Sequence, residues 1–100
     1  MIEAARQRDW DAKHTEEHLS RFNRTVVDLI AVHEVFPGHF LQFIYAKQFP
    51  SKARKLLGPA SNAEGWAHYS EQMMVKDGFR NGDPATRLAQ VSEALVRDCR

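Results

Sequence analysis

Cysteine is almost missing from this chain. The single Cys99 has no partner for an internal disulfide and rules out a cysteine-rich zinc site. Charge of one sign is missing too. Fourteen basic residues stand against thirteen acidic ones, mixed along the chain, for a net +1. That leaves neither a basic stripe for nucleic acid nor an acidic solvating tail. No apolar run approaches the roughly 20 residues of a membrane span, and Met1-Ile2-Glu3-Ala4-Ala5-Arg6 lacks the apolar segment of a signal peptide. Read literally, these absences describe a soluble, cytoplasmic chain. Internal repeats, low-complexity segments and the alternation of a β-strand are absent as well. What is present is one hundred residues, 43% of them hydrophobic, which makes one small domain whose core is modest at this size.

The apolar residues that remain fall at helical spacing. Residues 3–13 are polar around Trp10 and read as a loosely held N-terminal helix or tail within residues 1–20. Thr15 is the expected cap of the first long helix, followed by Glu16 and Glu17 where the helix dipole favours negative charge. Leu19, Phe22, Val26, Leu29 and His33 then recur every three or four residues, one apolar stripe that brings His33 onto the buried face. After a break at Pro37-Gly38, Phe40 to Tyr45 continue an apolar helix that stops before Pro50. Ser51 caps a short turn through Leu57, whose Lys52, Arg54 and Lys55 read as a solvated face. Ser61 or Asn62 caps the next helix, from Glu64 to Lys76, ended by Gly78. Asn81-Gly82-Asp83-Pro84 turns the chain into a last helix with Leu88, Val91, Leu95 and Cys99 facing inwards. The expected fold class is all-α, with four to five helices.

The chemistry concentrates in His33-Glu34-Val35-Phe36-Pro37-Gly38-His39. Imidazole is a common zinc ligand, and a carboxylate beside the first ligand can serve as general base. The familiar spacing is H-E-x-x-H on one helical face. Here Pro37 occupies the second position and the histidine comes later, at His39. On a regular helix the two would point about 120° apart. Proline removes an amide donor and glycine accepts unusual dihedrals, so a break at Pro37-Gly38 is what would turn His39 back towards His33. The plainer reading is a helix ending at Phe36, a turn, and two incidental histidines.

A third ligand is available in Glu64, on the helix that also carries His68 and Glu71 along the same face. His68 and Glu71 are candidate partners that orient a ligand, or simply surface residues. Glu64 itself reads equally as a ligand or as a first-turn glutamate favoured by the helix dipole. Trp66, Tyr69, Met73 and Met74 read as packing residues, and Gly65 as a place where another backbone approaches.

His33 to Gln42, followed by Glu64-Gly65-Trp66-Ala67-His68-Tyr69-Ser70-Glu71, resembles the bacterial domain-of-unknown-function 885 family. Gly82-Asp83-Pro84, Arg87 to Gln90 and Ala94 to Arg100 resemble it too, so the likeness covers about residues 21–100. That family resembles gluzincin metallopeptidases, and Glu-Gly-Trp is similar to the third-ligand segment of zinc aminopeptidases. The resemblance implies zinc held by His33, His39 and Glu64, with Glu34 as general base and a peptide as substrate. Family members are several times longer. The implied reading is therefore the metal-binding segment of a larger helical metallohydrolase, ending abruptly at Arg100 as a truncated chain would. Partner chains or a missing domain would then cover exposed apolar faces. The competing expectation is a helical fragment that binds no functional metal and acts by packing against other chains.

Overall fold

Asn23 cuts the first apolar stripe in two. Its side chain accepts from the Val26 amide at 3.1 Å, which starts a new helix and ends the single one that the periodicity from Leu19 to His33 suggests. Asp11 caps the helix before it, accepting from the His14 amide at 2.6 Å. Thr15 therefore lies inside that helix, its hydroxyl donating back to the Asp11 carbonyl, and is not its cap. An aspartate and an asparagine outcompete the threonine as caps, in line with their ranking.

The protein's computed structural model describes residues 10–99, so the expected helix or tail over residues 3–9 lies outside the described residues. The described chain is all-α. It contains five helices of nine or more residues and one short turn of helix between them: α1 (Ala12–Ser20), α2 (Arg24–Glu34), α3 (His39–Lys47), α4 (Lys52–Leu56), α5 (Ala60–Lys76) and α6 (Pro84–Asp98). A 3-10 turn, Phe79–Gly82, links the last two. None of these helices is long and apolar enough to cross a membrane. Helix α1 packs against no other described helix. A series of neighbouring rings, Trp10, His14, His18 and Phe22, runs along it and past both its ends.

Helix α5 begins at once after Pro59, earlier than Ser61 or Asn62 would start it as caps. Proline is tolerated at a helix start because the amides there need no intrahelical acceptor. The Pro59 carbonyl takes the Asn62 and Ala63 amides instead. Glu64 consequently stands beyond the first turn, where the dipole's pull has faded.

The buried apolar core is small. Among the described residues it comprises Val26, Leu29, Val32 and Ala67, where α2 crosses α5. Polar groups fill the rest of the interior: His33, Ser70, Glu71, Thr86 and Gln90. Helix α6 reverses its expected orientation. Leu88, Val91, Leu95 and Cys99 are exposed, whereas Thr86, Gln90 and Arg97 form the stripe turned towards α2 and α5. The cause is the fully buried Glu71, whose carboxylate needs a cation and takes it from Arg97 at 2.6 Å. Phe36, Phe40, Phe43 and Tyr45 are exposed as well. A Cα radius of gyration of 16.0 Å exceeds the roughly 13 Å of a compact chain of this length, in keeping with so much uncovered apolar surface.

Two glycines have opposite roles. A Cβ on Gly38 would overlap the carbonyl groups of Val32 and His33, because the turn folds directly onto the end of α2, with the Gly38 amide donating to Val32 at 3.0 Å. Among the described residues, a Cβ on Gly65 would meet nothing within 4 Å, so none of them makes the close backbone approach expected there. Gly65→Ala should raise stability by about 0.5–1 kcal/mol, the ordinary gain for a helix interior. Gly38→Ala should lower the thermal midpoint or abolish the cooperative transition. Melting curves of the two variants, followed by circular dichroism, test both.

Candidate metal centre

His33 sits in the last turn of α2 and His39 opens α3, so the two belong to different helices joined by the Pro37-Gly38 turn. The break expected between them is a complete helix end. Val35 takes φ −110° and ψ −84°, outside the helical region, and donates to the Ala31 carbonyl. Trp66 fastens this turn from α5: its indole N–H donates to the Pro37 carbonyl at 2.8 Å. Trp66 thus positions the loop between the histidines, a role that packing considerations alone did not suggest.

The result brings His33, His39 and Glu64 together, each offering a ligand atom within 4.8 Å of the others. His33 Nε2 lies 3.4 Å from Glu64 Oε2, and His39 Nε2 lies 3.4 Å from Glu64 Oε1. Charge-assisted N–H···O hydrogen bonds would close to about 2.7–2.9 Å. Ligands about 2.0–2.1 Å from a tetrahedral ion stand roughly 3.3–3.4 Å apart. Both distances are slack for a hydrogen bond, and they run to different oxygens of Glu64, so the carboxylate stands between the two imidazoles within reach of a shared ion. The donor set, two imidazoles and one carboxylate, is one that catalytic zinc sites use with an open position for water. The residues therefore fit a divalent ion, although such a set accepts several.

Behind these three side chains lies a buried set of polar contacts. Glu71 Oε1 contacts His33 Nδ1 at 2.6 Å and accepts from Arg97 Nη1 at 2.6 Å. In the tautomer whose Nδ1 donates to this carboxylate oxygen, His33 Nε2 keeps its lone pair for a metal. This is the usual device by which a carboxylate orients a ligating histidine. His39 has no such support: its Nδ1 is buried without a hydrogen-bond partner among the described residues.

A cleft of about 500 Å³ opens over this cluster, lined by Ile30, His33, Glu34, Glu64, His68 and Arg97. Glu34 is solvent-exposed on its wall. His68 stands edge-on to His33, with ring centroids 5.7 Å apart, and hydrogen-bonds to no ligand. Of the two candidate orienting residues, only Glu71 hydrogen-bonds one of the three. Arg97 was not singled out for function by its sequence context. Its signal was available in retrospect, since a buried glutamate on the ligand helix calls for a cation from a neighbouring helix.

The sequence profile of the family described as "Bacterial protein of unknown function (DUF885)" matches residues 7–100, and the chain belongs to that family. The match begins earlier than residue 21, where the motif resemblance starts. No curated protein and no solved structure matches the chain.

Replacing either His33 or His39 by alanine should reduce metal retained through gel filtration to background. Glu71→Gln should leave the ligands intact yet weaken metal affinity by roughly 10–100-fold, as loss of an orienting carboxylate does. Competition against a chromophoric chelator measures all three.

Proposed function

We propose that this chain carries the metal centre of a hydrolase acting on peptide or amide bonds, with zinc held by His33, His39 and Glu64. The observation that carries the reading is the placement of an adjacent carboxylate, Glu34, on the wall of the cleft that His33 and Glu64 line, with His39 completing their group of three. When bound, the ion would lower the pKa of a coordinated water and polarise the carbonyl group it faces. The chain's own residues supply the rest. Glu34 follows His33 at the end of α2, so it overlooks the site without being a member of the ligand cluster. It takes the proton of the attacking water and returns it to the departing amine nitrogen, the two halves of general acid–base catalysis. Glu71 keeps the His33 ring oriented throughout. Trp66 and Gly38 hold the turn on which His39 depends.

The alternative without metal gives these residues no common purpose. The edge-to-face histidine pair, 4.8 Å apart, with one carboxylate reaching the outer nitrogens of both, favours the reading with a metal.

Glu34→Gln separates binding from chemistry. It should retain zinc at the level of the unaltered chain while peptide turnover falls by about 10²–10⁴-fold. Hydrolysis of a fluorogenic peptide library beside metal analysis of the same samples gives both quantities. Loss of zinc together with turnover would instead make Glu34 a ligand.

A further inference from the structure

Arg97 has more donors than Glu71 uses. A guanidinium presents five N–H groups in a rigid fork. In this structure one nitrogen, Nη1, donates to Glu71 Oε1 at 2.6 Å. Nη2 is 3.9 Å from Glu93, too far for a hydrogen bond. Nothing else among the described residues hydrogen-bonds the group, and its side chain remains 21% exposed, on the wall of the cleft that holds His33, Glu34 and Glu64. Among the described residues, Arg97 is the only lysine or arginine on that wall. The side chain is also unusually well anchored, because a fully buried carboxylate fixes one end of the fork.

We propose that Arg97 binds a substrate carboxylate beside the metal centre, so that the cleft takes peptides by a free C-terminal end. This deepens, and rests on, the reading of the cleft as a peptide-hydrolysing site. The guanidinium matches a carboxylate in geometry and charge, and a pre-anchored fork loses little freedom on pairing. Arg97 contacts Glu71, which contacts His33, so a carboxylate held there lies close to the bond presented to the centre. A short reach of that kind selects the end of a chain over its middle. Arg97 is in this account a specificity residue, with its Glu71 contact as anchor.

Succinic, glutaric and adipic monohydroxamates test this on the zinc-loaded chain without any turnover. In each the hydroxamate takes the metal, and the far end is either a carboxylate or the matching primary amide. At one chain length the acid should bind at least about tenfold more tightly than its amide by calorimetry, the order expected of a charge-assisted pair. Equal affinity of acid and amide at every length would overturn the proposal, with no variant required. Arg97→Lys keeps a cation for Glu71 but loses the fork. It should bind the amides as before while the preference for the acid shrinks. A full preference in Arg97→Lys, with unchanged metal content, would show that Arg97 serves Glu71 alone. A peptide with a free C-terminus, its C-terminal amide, and an amidated peptide ending in aspartate distinguish a terminal from a side-chain carboxylate. Tighter binding of the first than of both others supports the proposal, and equal binding of the first and third overturns it. Absence of turnover with a preserved acid preference would count against hydrolysis and leave the Arg97 assignment standing.

Discussion

A fully buried carboxylate must be neutralised and hydrogen-bonded, and Glu71 imposes that demand on the whole chain. Its Oε1 holds His33 on one side and Arg97 on the other. Stranding a charge of this kind by removing one partner typically costs several kcal/mol. Helix α6 therefore turns its polar stripe inwards, Thr86 and Gln90 following Arg97 to the interior, and leaves Leu88, Val91 and Leu95 outside. The usual arrangement, with the apolar face buried, gives way to the requirement of one side chain.

The same economy governs the turn between α2 and α3. Two histidines can meet one ion only if the first helix ends and the second starts almost on top of it. Gly38 makes the close approach sterically possible, and the Trp66 indole secures it from α5. With so few buried apolar side chains among the described residues, packing contributes little to hold these helices in place. An ion shared by α2, α3 and α5 would add stability through mass action as well as chemistry, since the unfolded chain offers no assembled site.

Much of the site was legible because its residue types are rare and closely spaced. His33, Glu34, the Pro37-Gly38 break and His39 fall within one short run, and the break is where the structure ends one helix and begins another. Glu64 was open to two readings; α5 starts after Pro59 and so carries it beyond the first turn, where the helix dipole favours it less. The errors have physical causes of their own. The stripe from Leu19 to His33 is continuous in spacing, but Asp11 and Asn23 cap two helices across it. Amphipathicity placed Leu95 inside, because periodicity records which residues share a face and not which neighbour that face meets. Gly65 suggested a close approach that no described residue makes. Arg97 and the indole of Trp66 act through long-range partners, and a single sequence does not pair them.

X-ray absorption spectroscopy of the zinc-loaded chain tests the central claim most directly, because it reads the ligands and not their consequences. The account predicts a low-coordinate shell of nitrogen and oxygen only, at about 2.0–2.1 Å, with the outer-shell scattering of two imidazoles. A sulfur contribution at about 2.3 Å, which the exposed Cys99 would supply, or a shell without two imidazoles, would contradict it.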